Sequence, residues 1–279
     1  MLSVVLAVAV SATPLKVGVT LHPYYSWTAK VAAGLPIEVR AVLPGDVDVG
    51  NYQPRPEDVA KLKDLDALVV NGIGHDDFIT AMLKASGNTR CRVIKPNDTT
   101  ALLKGAHGEA VNSHTFLSFT NAVAQTYVIS RALGELRPEL APALQKNATA
   151  YAKALRALKA DALKRLAAAK ETRVITVHDG YSYLLQELGL ELSGVVEPAH
   201  GLVPSAAELG ELVKLIEREK VKVVLAEESF PKPLLEVLAK AGARVTIISH
   251  IATGAFTPER FEQEMQANVD ALVRAVGAT

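Results

Sequence analysis

Seven histidines and a single cysteine are the chemically distinctive resource of this 279-residue chain. Cys91 cannot form an internal disulfide, and one thiol excludes a Cys-rich zinc or iron–sulfur site. Histidine chemistry is left open, because neutral imidazole suits zinc and similar divalent ions. No H-E-x-x-H motif and no zinc-finger spacing is present, so such a site has to be assembled from segments far apart in sequence.

The elements that would position those histidines alternate between short β-branched runs and helical stretches. LKVGVT, IEVRAVL, ALVVNGIG and RVIKP read as strands in the first half, with helices in HPYYSWTAKVAAG and PRPEDVAKLKDL. RVITVH, LSGVVEP, KVVLAE and RVTIIS read as strands in the second half. The helices there are GYSYLLQELG, SAAELGELVKLIEREK, PKPLLEVLAKAG and PERFEQEMQANVDALVRAV. Ser205 and Glu208 have the spacing of a capping box at the head of the second of these. Strands alternating with helices predict an α/β fold of two lobes, each a parallel sheet flanked by helices.

Between them, residues 115–170 carry no strand signal, and Pro138 to Ala169 can run as one long helix of roughly 45 Å. A helix of that length acts as a rigid strut. The expected organisation is an N-terminal lobe over 15–136, a linking helix over 137–170 and a C-terminal lobe over 171–279. A cleft would lie between the lobes.

Ligands in open parallel sheets bind beyond the carboxyl ends of the strands. His22, His75, His178 and His250 each follow a strand directly, and Glu227 ends KVVLA. His114 lies just before a helix. The pattern predicts imidazoles from both lobes converging on a divalent metal. His107 and His200 read as surface residues.

The net charge is zero, from 30 Lys+Arg against 30 Asp+Glu. The broad basic footprint of a nucleic-acid binder is missing. Residues 1–12, MLSVVLAVAVSA, resemble the apolar core and cleavage zone of a secretory signal, without its positively charged start. The run is too short to span a bilayer. An exported protein, periplasmic or otherwise extracytoplasmic, is expected.

Several segments then carry a family resemblance: HPYYSW, NYQPRPEDVAKLKDLDALVVNGIGHDDF, VNSHTFLSFTNAVAQTY, VHDGYSYLL, VVEPAHGLVPSAAEL, LAEESFPKPLLE and SHIATGAFTPERFEQEM. In this order, over residues 15–276, the chain resembles the periplasmic solute-binding proteins of zinc/manganese ABC transporters, the ZnuA/TroA-like group. The resemblance implies a monomeric carrier, not an enzyme, that captures a divalent metal between its lobes and delivers it to a membrane permease.

It also implies His114, His178 and His250 as ligands. The family's first histidine position is occupied here by Gly50, within Asp48-Val49-Gly50-Asn51-Tyr52-Gln53-Pro54, and glycine has no side chain to ligate with. His22 is the preferred substitute, with His75, Asn51 and Glu227 behind it. Nitrogen donors favour Zn2+, while Glu227 and Asp76 keep Mn2+ as the alternative. Two other functions compete. One is a binding protein whose site has drifted toward a metal complex or another small ligand. The other is a zinc hydrolase with Glu227 or Glu228 as general base.

Overall fold

The computed structural model describes residues 13–106, 108, 110–197 and 201–277, with Asn51 described by its backbone alone. The expected signal segment and the histidines at 107 and 200 lie outside the described residues.

Two four-stranded parallel sheets form the framework. The first contains β1 (Leu15–Val19), β2 (Ile37–Ala41), β3 (Ala67–Val69) and β4 (Arg92–Ile94), in the order β2-β1-β3-β4. The second contains β5 (Arg173–Thr176), β6 (Glu191–Val195), β7 (Val223–Ala226) and β8 (Arg244–Ile247), in the order β6-β5-β7-β8. Both share one topology: the chain leaves the first strand to one side, then crosses to the other. That reversal opens a crevice at the carboxyl ends of β1 and β3, and another at those of β5 and β7.

Burial follows from the pleat. Val174, Val223 and Leu225 enter one apolar cluster, while Ile175, Val224 and Ala226 point to the opposite face and another. All four residues of β7 are buried, as expected of a central parallel strand covered on both faces.

The helices of the first half are α1 (His22–Val31), α2 (Pro56–Lys61), α3 (Phe78–Ser86) and α4 (Phe119–Leu136). The strut is α5 (Ala141–Arg165), 25 residues and about 37 Å long. Short 3-10 turns at Pro138–Leu140 and Ala167–Ala169 flank it. Pro142 falls in its first turn, where a missing N–H costs nothing. Leu144, Ala148, Tyr151, Ala152, Leu155 and Ala162 form its buried stripe.

In the second half come α6 (Ser182–Leu188), α7 (Ala206–Glu219), α8 (Lys232–Lys240) and α9 (Arg260–Val276). The capping box forms as read: Ser205 Oγ accepts from the Glu208 N–H, and Glu208 Oε2 accepts from the Ser205 N–H at 2.8 Å. Among the described residues no helix is long and apolar enough to cross a membrane.

The halves are joined by more than the strut. Helix α9 comes last in the sequence but packs on α1: Phe261 meets Trp27 edge-on at 5.2 Å, and Ser26 Oγ donates to the Thr257 carbonyl. Tyr151 of α5 donates to Glu262 at 3.0 Å. From α6, Glu187 accepts the Phe119 and Thr120 N–H groups at the start of α4. A single apolar cluster therefore runs from β1 and β3 through α4, α5 and α9 to β5 and β7.

Candidate metal centre

The two crevices face one another, and four histidine rings meet where they do. His75 follows β3 and His114 precedes α4. His178 follows β5 and His250 follows β8. His114 lies 4.6 Å from His178 and 5.0 Å from His75, centroid to centroid, both edge-on. His250 stands 5.5 Å from His178 and 6.2 Å from His114. Each half of the chain contributes two imidazoles. His75, His114 and His178 are buried, and His250 is nearly so.

A polar group stands near Nδ1 of each ring. Asn112 Oδ1 accepts from the His114 ring at 3.0 Å and from the His114 backbone N–H at 2.9 Å. Glu197 Oε2 stands 3.3 Å from His178 Nδ1, Ser113 Oγ 3.4 Å from His75 Nδ1, and Glu227 Oε2 3.8 Å from His250 Nδ1. A carboxylate or amide oxygen at Nδ1 selects the tautomer whose Nε2 carries a lone pair. The network therefore assigns Nε2 of both His114 and His178 as acceptors. These two atoms face each other at 2.9 Å. Two lone pairs at that distance repel unless a proton or a cation lies between them.

Backbone geometry brings the rings this close. A Cβ at Gly180 would approach His178 Cδ2 to 2.8 Å and His114 Cδ2 to 3.5 Å, so a side chain there would push the His178 ring out of place. The turn carrying His75 is built on Asp76, which is fully buried and accepts from Thr20 Oγ1 at 2.6 Å, Asn71 N at 2.7 Å and Gly72 N at 2.9 Å. Burial pushes the Asp76 carboxyl above its usual range, against those hydrogen bonds. With these bonds made, Asp76 is a scaffold for the turn. Ile251, next to His250, is a buried β-branched residue at φ 61°, a conformation that is strained for its shape.

Glu227 stands at the edge of the cluster. Tyr181 donates to its Oε1 at 3.0 Å, and burial raises its pKa, opposed by the Tyr181 hydrogen bond. The charge of Asp48 reaches it as well. Gly50 lies in a 3-10 turn, Val49–Asn51, with its N–H on Asp48 Oδ1 at 3.1 Å.

The sequence-derived candidates divide in space. His75, ranked behind His22, stands within the ring cluster, whereas His22 stands apart. The His22 ring stacks on Phe256 at 3.9 Å and 6°, and its Nε2 donates to the Gly254 carbonyl at 2.8 Å. His22 opens α1, with Pro23 in the helix's first turn. Position after a strand was too coarse a criterion to separate the two. The orienting groups Asn112 and Glu197 were missed. Their signal was available: a carboxylate or amide near each expected ligand is the usual partner of a ligating imidazole.

Among the described residues no three or more His, Cys, Asp or Glu side chains already stand around a common point as a finished cage. The 2.9 Å between the His114 and His178 nitrogens is shorter than the roughly 3.3 Å that two ligands of one tetrahedral zinc require.

The family model for ZnuA, the zinc-uptake complex component A periplasmic, matches residues 17–275. The chain belongs to this family. Over 249 residues it is 26% identical to the zinc-binding lipoprotein AdcA of Streptococcus pneumoniae, a match covering 84% of the chain and 50% of that protein. The chain thus spans about half the length of the curated relatives it matches first. Among solved structures it is similar to the solute-binding protein FpvC of Pseudomonas aeruginosa in complex with Mn2+. Identity there is 41% and the TM-score 0.88, covering 95% of this chain and 98% of that one. Zn(II)-bound AdcA from Streptococcus pneumoniae is 26% identical, with a TM-score of 0.78 over 94% of this chain and 58% of that one.

Proposed function

We propose that the chain is the extracytoplasmic metal-capturing component of an ABC transporter, holding one divalent ion between its lobes and passing it to a membrane permease. The ion is cargo. His75, His114, His178 and His250 are its ligands, two from each half. Their neighbours Ser113, Asn112, Glu197 and Glu227 orient the rings. The observation that carries this reading is the pair of acceptor nitrogens on His114 and His178, brought together by hydrogen bonds at their far edges. A cation between them turns a repulsion into two bonds.

Loading needs little movement. The pair parts by a few tenths of an ångström to reach ligand spacing, and His75 and His250 close from the flanks. Four imidazoles favour zinc. Family membership, the likeness to a zinc-binding AdcA and the likeness to FpvC with Mn2+ support a divalent metal as the cargo class. His75 makes good the ligand that Gly50 cannot supply.

Competition against a chromophoric chelator, with Zn2+ and then Mn2+, tests the reading on metal-stripped protein. One equivalent of Zn2+ is expected to bind more tightly than Mn2+, and His114→Ala to lose at least a hundredfold in zinc affinity. No zinc uptake, or an unchanged His114→Ala, would overturn it.

A further inference from the structure

His22 is a fully buried histidine outside the ring cluster, and its contacts cross the molecule. Its Nε2 donates to the Gly254 carbonyl at 2.8 Å, and its face stacks on Phe256 at 3.9 Å. Both partners belong to the segment between β8 and α9, which also carries His250. A second crossing lies beside the first: the Gly254 N–H donates to the Gly45 carbonyl at 2.6 Å. Any side chain at Gly45 would collide with the Gly254 carbonyl oxygen. Tyr25 lies 5.5 Å from Phe256, centroid to centroid and tilted, and the Arg260 guanidinium holds the Thr253 carbonyl. The segment is thus gripped by the first half of the chain, from β1's end and from the turn after β2, four to six residues beyond His250.

That grip has something to oppose. Ile251 sits at φ 61° directly after His250, and a β-branched residue leaves that conformation once its surroundings release it. The Ser249 hydroxyl accepts the Ile251 N–H at 3.0 Å, and Asn268 of α9 accepts the Ser249 N–H at 2.7 Å, which fixes the other side of the turn. The strained residue lies between two anchors, one made by α9 and one by His22.

We infer that His22 is a positioning residue for metal binding: it latches the 251–257 segment across the lobes, and so holds His250 at the ring cluster, without ligating the ion itself. The inference rests on the proposed four-imidazole site and adds to it the contact that keeps one of the four ligands in place. A group that donates one hydrogen bond to Gly254 should substitute for the imidazole, and an apolar group should not.

The test compares the full chain with His22→Gln, His22→Leu and Gly45→Ala, using Co2+ as the probe. Visible absorption reports the ligand set, and a chelator chase reports the rate of release. The wild-type spectrum should persist in all three variants. Release should stay within about threefold of wild type in His22→Gln, whose amide can donate to Gly254, and rise at least tenfold in His22→Leu and Gly45→Ala. If His22→Gln and His22→Leu both lose the wild-type spectrum, His22 is a ligand and the inference falls. It falls equally if release is unchanged in His22→Leu and Gly45→Ala. Should His22→Leu fail to fold, Gly45→Ala with native His22 decides by the same criterion. If the wild-type chain binds no Co2+ at all, the proposed function fails before the latch is at issue.

Discussion

The chemistry proposed for this protein depends on which edge of each imidazole meets a fixed partner. Asn112 and Glu197 hold Nδ1 of His114 and His178, so these rings present Nε2 to one another. Removing such a partner typically lowers metal affinity 10–100-fold while leaving the ligand in place. Glu197→Gln and Asn112→Ala are therefore expected to weaken zinc binding by about that factor in a chelator competition, with the far-ultraviolet spectrum unchanged. A second consequence concerns His22, whose pKa burial lowers to about 4, with the Gly254 carbonyl opposing that shift and Arg260 adding to it. An unfolded histidine titrates near 6.5. Between those values the unfolded chain binds the extra proton, so this stabilising contribution is complete above about pH 6.5 and is lost as pH falls toward 4. A shift of this size corresponds to roughly 3 kcal/mol. Urea unfolding from pH 7 to pH 4 should show a shallower loss of stability in His22→Gln than in wild type, and parallel curves would contradict the assignment.

At the scale of elements, the candidate site is made by the turns after β3, β5 and β8 and by the loop before α4. Gly180 passes against both His178 and His114, so Gly180→Ala should displace the rings and cost at least tenfold in metal affinity. Its effect on folding should be smaller, because the added methyl meets ring edges and not backbone. Glu187 acts differently. It is a nearly buried carboxylate from α6 that caps α4 and pairs with Lys159 of the strut at 3.0 Å. Glu187→Ala leaves the buried Phe119 N–H unsatisfied and removes the Lys159 pair, and is expected to cost about 1–3 kcal/mol in denaturant unfolding with zinc affinity little changed.

Much of this layer was legible in the sequence. β-branched runs marked the eight strands of the described residues, Ser205 with Glu208 marked α7, and Pro138 and Pro142 marked the head of the strut. Helix α3 was not anticipated, because ALVVNGIG reads as one strand, whereas β3 ends at Val69, and because the helix that follows spans only nine residues. The candidate site was legible as residue types at strand ends, but not as a set. Whether His22 or His75 turns toward the other rings depends on the direction of the first turn of α1 and on the Asp76-centred turn. Those are tertiary properties with no local signature.

At the scale of the molecule, the two sheets share one apolar cluster through α4, α5 and α9, and α9 closes back on α1. A core continuous across both halves predicts one cooperative unfolding transition, not one per lobe. Calorimetry should give a van't Hoff enthalpy equal to the calorimetric enthalpy, and two resolved transitions would refute the shared core. Zinc added at a hundred times its dissociation constant should stabilise the chain by about 2.7 kcal/mol, and a chelator should reverse the effect. The same continuity should hold movement on loading to small shifts of loops and rings, since the strut and the α1–α9 contact would both have to give for the halves to open. The central claim is that four imidazoles, two from each half, surround one ion. Zinc K-edge X-ray absorption on the one-equivalent complex measures this most directly. The predicted result is a first shell of four nitrogens at about 2.0–2.1 Å with the multiple scattering of imidazole rings, reduced by one ring in His75→Ala. A shell with fewer than three imidazoles, or one unaltered in His75→Ala, would contradict it.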